Sequence, residues 1–244
     1  MPQVTKYIEV FLPSGSLSRV IKDAITVVVS LGKRYLWVDQ YCVNQPDENI
    51  KATQVREMDR VYAGAYVTIV VCAGEDANSG LPEISRERKP RPSAILPNLE
   101  LVTSLPALSV AIQDTKWNTR GWTYEEAVLS RRCLFFTDRQ VYFACTNMSC
   151  SEADGDARGT CYPASHRIPM DLGKRIFHCE HQPAEDITSL FVQITEYSGR
   201  SLTYPEDILD ALRGLLRRSQ FYTYYGVSIV PREFKPGQSE GSTK

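Results

Sequence analysis

Between residues 17 and 73 the apolar side chains change their repeat three times, and this alternation limits the possible folds more than any other feature. Leu17, Val20, Ile21, Ala24, Ile25, Val28 and Leu31 fall on one face of a 3.6-residue period. The spacing predicts a helix over 17–31, with Ser16 as N-cap and Gly32 as its stop. Tyr35-Leu36-Trp37-Val38 is too short for a helix and reads as a buried strand ending at Asp39. Ala52, Val55, Met58, Val61, Tyr62 and Ala65 return to helical spacing. The run 66–73 is a strand by composition, closed by Gly74. Helix, strand, helix, strand predicts an α/β layer whose two strands pair in parallel through a crossover helix.

The pattern then changes. Residues 75–97 hold four prolines and many charges with little periodicity, and predict a long loop. Thr123-Tyr124-Glu125-Glu126 has the form of a capping box, with Thr123 as N-cap, Glu126 at N3 and a short helix to about Leu129. Runs 132–137 and 140–145 read as two strands across an Asp138-Arg139 turn. Residues 146–183 are loop-like. Two amphipathic helices follow, one lined by Ile187, Leu190, Phe191, Ile194 and Tyr197. The other is lined by Ile208, Ala211, Leu212, Leu215 and Leu216, with Pro205 at its first turn. Residues 235–244 are polar and Gly/Ser-containing, and predict disorder. The expected division is an α/β domain over 1–146, a loop-rich segment over 147–183, a helical extension over 184–230 and a tail over 231–244.

The formal net charge of −1 gives no global field for nucleic acid or an anionic membrane, and basic residues form no stripe. The apolar stretches 24–31 and 66–73 fall far short of the roughly 20 residues that a bilayer span needs. Residues 1–10 are too mixed and polar for a signal peptide. The expectation is a cytoplasmic protein with reduced thiols, in which Cys42, Cys72 and Cys133 act as small buried hydrophobes.

Three segments, in order, resemble the fungal heterokaryon incompatibility (HET) domain family. Tyr35-Leu36-Trp37-Val38-Asp39-Gln40-Tyr41-Cys42-Val43-Asn44-Gln45 is similar to its YLWVD core. Gln54, Met58, Tyr62, Ala65 and Thr68-Ile69 match a second motif. Trp117, Arg120-Gly121-Trp122-Thr123, Glu126 and Leu129-Ser130 match a third. The resemblance implies a module of non-self recognition and programmed cell death. It implies a protein partner in incompatibility signalling and possible self-association, with Trp117, Trp122 and the 75–97 loop as contact surfaces. The family's usual first-strand pattern is not found in residues 1–12, which implies a shortened member or a start placed elsewhere. Glu125 stands where the family usually has glutamine. The family is also similar to TIR-type domains, several of which cleave NAD. This implies NAD as a possible substrate, with no resident cofactor. A shortened member without activity is the remaining alternative.

The residues themselves leave two readings open at each point. Asp39, Asn44 and Gln45 lie where an α/β sheet places ligand loops, and can hold the ribose or amide groups of a nucleotide. They equally suit capping and turn stabilisation. Glu126, near Arg120 and Trp122, is the candidate catalytic carboxylate. It equally suits a structural capping box. Glu57 reads as a solvated or ion-paired side chain. His166, His178, His181 and the cysteines at 145, 150, 161 and 179 cluster in 145–181, but lack the close pairs of a zinc site, so no metal is assigned. No P-loop, dinucleotide fingerprint or nucleophile elbow is present.

Overall fold

The computed structural model describes residues 17–145, 148–154, 162–163, 187–218, 222–224 and 227–229. The first helix, α1, spans Arg19–Ser30, and Gly32 follows it with φ of +67°, the left-handed turn expected of a glycine stop. Ser18, not Ser16, occupies the N-cap position. The second predicted helix is broken in two. α3 (Glu48–Arg56) is capped by the Asp47 carboxylate, which accepts from the backbone N–H groups of Asn49 and Ile50. Glu57 interrupts the helix, and α4 (Met58–Gly64) continues to the strand β1 (Thr68–Val71). Between α1 and α3 lies one short helical turn, α2 (Asp39–Cys42).

β1 enters a five-stranded sheet beside β4 (Arg132–Phe136), followed by β5 (Val141–Cys145), β6 (Met148–Ser151) and β7 (Tyr162–Pro163). β1 and β4 are parallel, with Thr68 opposite Cys133 and Val71 opposite Phe136, and the remaining pairs are antiparallel. The partly parallel sheet with flanking helices therefore stands, with a different parallel pair. Residues 35–38 join no sheet. Val38 is extended (φ −136°, ψ 122°), but Tyr35 is 83% exposed and the segment turns its tryptophan onto α4 instead. Trp37 meets Tyr62 edge-on, with centroids 5.7 Å apart. Packing of that one ring, not strand pairing, accounts for the apolar run.

The two-residue period of the strands divides the core. Val70, Cys72, Cys133, Phe135, Tyr142 and Ala144 point to one side, where they meet Ile112, Trp117 and Ala127. Ile69, Val71, Leu134, Phe136 and Val141 point to the other, where Val20 and Val27 of α1 and the fully buried Leu81 cover them. The Asp138–Arg139 turn forms as expected. The Thr137 hydroxyl donates to Gln140 O (2.6 Å) and accepts from Gln140 N (3.2 Å). Two other features were not anticipated. The 75–97 stretch is no simple loop, because β2 (Ser93–Leu96) and β3 (Leu99–Val102) pair as a hairpin across its end. β6 likewise lies inside the stretch read as loop, where it extends the sheet. The short helices α5 (Leu108–Ile112) and α6 (Lys116–Thr119) lead into α7 (Gly121–Leu129).

α7 is the hinge of the packing. Ala127 faces the sheet, and Leu129 faces Met58 and Tyr62 of α4. Tyr124 and Val128 face α8 (Ile187–Ser198) and α9 (Asp210–Arg218), meeting Leu190, Tyr197, Leu212, Leu215 and Leu216. Pro205 opens a 3₁₀ turn (Pro205–Ile208) ahead of α9. A last pair, β8 (Tyr222–Tyr224) and β9 (Val227–Ile229), follows where only helix was expected. No helix among the described residues is long and apolar enough to cross a membrane. Cys72 and Cys133 are buried free thiols, but Cys42 is exposed, because α2 lies on the surface. The expected tail and the histidines at 166, 178 and 181 lie outside the described residues, and among these residues no group of three metal ligands forms.

Candidate functional site

A cleft of about 900 Å³ opens between α1, the segment 33–39, α4, β1 and the start of α7. Its lower walls are apolar, from Val20, Ala24, Trp37 and Ile69. The polar groups gather at one end. Asp39 at the start of α2, Arg120 between α6 and α7, and Glu126 on α7 all line it, together with Tyr62 and Thr123. Sequence positions 39 and 126 thus converge through the packing of α7 onto α4.

Glu126 is half-buried and its carboxylate accepts a hydrogen bond from the Tyr62 hydroxyl. Burial pushes its pKa up to about 7; Asp39 adds to the rise, while Tyr62 and Arg120 oppose it. The same surroundings push the Tyr62 hydroxyl well above the ordinary tyrosine range, mainly through burial and then through the Glu126 and Asp39 charges. The capping box does not form. α7 begins three residues earlier, and the Thr123 hydroxyl donates to the carbonyls of Trp117 (2.5 Å) and Arg120 (2.8 Å) instead. Glu126 therefore sits one full turn inside the helix, with its side chain directed to Tyr62.

The Arg120 corner is held from outside. Gly121 N–H donates to Ser201 O (2.8 Å), and Ser201 N–H donates to Thr119 O (2.7 Å). The Arg200 guanidinium donates to Asn118 Oδ1 (2.8 Å) and lies 4.7 Å from the Tyr124 ring centroid and 5.9 Å from that of Trp117. A Cβ on Gly121 would come within 2.6 Å of Leu202 Cδ2, so the leucine side chain would have to shift to admit one.

Of the residues singled out in the sequence, Asp39, Arg120 and Glu126 come together. Asn44 and Gln45 do not line the cleft: Asn44 caps its own loop, accepting from Asp47 N (3.2 Å), and Gln45 is exposed. Asp39 is the first residue of α2 and does not cap it; its carboxylate accepts from Gln40 N (2.7 Å) while it lines the cleft. Trp122 packs against the Leu190–Leu212 cluster on the far side of α7, and Trp117 is buried edge-on against Phe135. Neither tryptophan is a free contact surface. Glu57 pairs with Arg60 at 2.5 Å. Tyr62 was read as an apolar helix position and a member of the second motif, not as a site residue; a hydroxyl-bearing ring among aliphatic ones was the available sign. Lys33, Arg34 and Lys116 add cations along the cleft wall.

Glu125, beside the site residue, points the other way. It is 4% exposed and accepts from Gly214 N–H of α9 (2.8 Å). Burial, then the neighbouring Asp59 and Glu126 charges, push its pKa up to about 8, against the Gly214 hydrogen bond and Arg217.

The family model for heterokaryon incompatibility protein (HET) matches residues 2–126, just over half of the chain. This chain belongs to the HET family. The match contains the Asp39 segment, Tyr62, the Arg120–Gly121 corner and, as its last residue, Glu126. No curated protein and no solved structure matches this HET protein.

Proposed function

We propose that this HET protein acts in fungal non-self recognition in the cytoplasm, and that it triggers cell death by hydrolysing a nucleotide of the NAD type in the cleft around Glu126. The observation that carries the reading is the convergence of Asp39, Arg120 and Glu126 on one cleft, with a carboxyl poised near neutrality. A likeness of the family to TIR-type domains supports the choice of substrate by analogy.

The parts of the cleft divide the work. Lys33, Arg34 and Lys116 lie where the pyrophosphate of a dinucleotide needs cations. Asp39 accepts hydrogen bonds from ribose hydroxyls. Glu126 faces the anomeric carbon and stabilises the positive charge that builds there as the bond to nicotinamide breaks. Nicotinamide leaves with the electron pair of that bond, a water oxygen bonds to the carbon, and the water proton passes to Glu126 and then to solvent. Tyr62 holds the carboxylate and limits its rotation.

The test is made in cells that die on expression of the full chain. Glu126→Ala is expected to preserve NAD and viability together. Death that proceeds with NAD at its resting level, in the parent and the variant alike, removes the hydrolase reading and leaves a signalling module that works by docking a protein partner.

A further inference from the structure

The helix stop at Gly32 directs a basic and aromatic run along one rim of the cleft. Lys33 N–H donates back to Val28 O (2.9 Å), the bond that closes such a stop, so the chain leaves α1 in a fixed direction. Lys33, Arg34 and Tyr35 line the cleft together with Tyr66, which precedes β1. The Lys33 ammonium lies 3.6 Å from the centroid of the Tyr66 ring, and the Arg132 guanidinium lies 5.2 Å from the same centroid. Arg132, the first residue of β4, also donates to Tyr66 O (3.2 Å). Two cations from distant parts of the chain thus share one ring. Among the described residues, Lys33, Arg34 and Arg132 form no ion pair with a carboxylate. Cations gathered without a counter-charge attract an anion. Tyr35 is 83% exposed, with the Arg34 guanidinium 5.4 Å from its ring centroid. A bare aromatic ring beside a row of cations is the chemistry that holds a base and its phosphate.

We propose that the substrate of the cleft is a dinucleotide with an extra phosphate on its adenosine ribose, the adenine stacked on Tyr35 and the phosphate set between Lys33 and Arg132. The inference rests on the hydrolase reading of the cleft and adds the substrate class. Charge distinguishes the two forms of dinucleotide. A pyrophosphate carries two negative charges, which Arg34 and Lys116 match, with Lys33 placed to serve both groups. A phosphomonoester adds a charge of about −1.5 to −2 near pH 7. The cations on the Tyr66 ring are the surplus that meets it. The acids that line the cleft leave this rim free. Glu75 and Asp76 follow β1, at the opposite end of that strand from Tyr66, and Asp39 and Glu126 stand together beside Tyr62. Lys33 and Asp39 are six residues apart on one segment, a reach of at most about 20 Å, so one extended ligand can meet both. A lipid headgroup suits the rim less well, because Lys33 and Arg34 line a cleft and not a flat face.

The test is calorimetric titration of the full chain carrying Glu126→Gln, in which turnover is suppressed, with NAD and with NAD phosphorylated on the adenosine 2′-hydroxyl. The phosphorylated form is expected to bind about tenfold more tightly, the yield of a charge-assisted hydrogen bond, with the gap narrowing as salt rises. Adding Arg132→Gln is expected to abolish the preference and leave the affinity for NAD unchanged. Arg132→Lys, which keeps the charge, is expected to retain most of it. Equal affinity for the two dinucleotides, or a preference that Arg132→Gln leaves intact, overturns this inference and leaves the hydrolase reading standing. Binding of neither dinucleotide overturns both. Capture by vesicles containing phosphatidylinositol phosphates, with no preference between the dinucleotides, assigns the rim to a lipid headgroup and also overturns the inference.

Discussion

The Tyr62 hydroxyl donates a hydrogen bond to the Glu126 carboxylate, linking a helix that precedes β1 to one that precedes β4. The bond fixes the carboxylate at the polar end of the cleft and opposes the upward shift that burial imposes. Tyr62→Phe keeps the ring, which still meets Trp37, and removes only the hydroxyl. The midpoint of the pH–rate profile is expected to move above about 7, and the rate at neutral pH to fall if the charged form is the active one. Stability should drop by only about 1 kcal/mol, the usual net worth of one hydrogen bond. An unmoved profile would show that Tyr62 does not govern the carboxylate.

Glu125 predicts a pH dependence of stability. Its folded pKa, about 8, lies above the ordinary glutamate value, so the folded state holds the proton more tightly than the unfolded state does. The stabilisation is complete below the unfolded value and is lost as pH rises through about 8. Between roughly pH 4.5 and 8 this one group contributes a falling slope of at most ~1.4 kcal/mol per pH unit. Glu125→Gln should flatten the slope in urea melts, while its amide oxygen still accepts from Gly214 N–H. An equal slope in the variant would place the titration elsewhere.

Gly214 lets α9 lie close against α7. A Cβ there would lie 2.2 Å from Glu125 Oε1, 2.6 Å from Leu129 Cδ1 and 2.9 Å from Asp59 Cβ. Alanine is ordinarily better than glycine inside a helix by about 1 kcal/mol. Overpacking costs about 1–3 kcal/mol, and here it is expected to win. Gly214→Ala should therefore lower the urea midpoint; a raised midpoint would mean that α9 can shift without loss.

Much of this arrangement was legible in the sequence. The helix stop at Gly32, the strand within 66–73 and the Thr137–Gln140 turn all follow from local chemistry, and each forms where expected. The errors share a cause. Tyr35–Val38 has a strand's composition, but its tryptophan found a partner on α4, and no periodicity reports such a partner. Thr123 and Glu126 have a capping box's spacing, but the Trp117 carbonyl took the threonine hydroxyl and Tyr62 took the glutamate. Asp39, Arg120 and Glu126 stood out as residue types with chemistry. Their convergence depends on how α7 packs between α4 and the C-terminal helices, which is a property of long-range contacts. The β2–β3 hairpin was hidden because its proline-flanked strands are only four residues long.

Arg200 tests whether the C-terminal segment positions the cleft. Its guanidinium reaches Asn118 and lies by the rings of Trp117 and Tyr124, beside the Arg120 corner. Arg200→Lys keeps the charge but loses the planar fork and the stacking. The expected result is a several-fold drop in kcat with a small change in KM, because Arg120 and α7 lose their outside support. A drop confined to KM would assign Arg200 to substrate binding instead.

The most direct test is nicotinamide release from NAD by the purified full chain, compared with Glu126→Gln. The variant keeps the size of the side chain and removes its charge. Measurable release by the parent and a loss of about 100-fold or more in the variant, with equal melting temperatures, is the predicted result. Release at the same rate from both proteins, or from neither, would contradict the assignment of the cleft as a hydrolytic site.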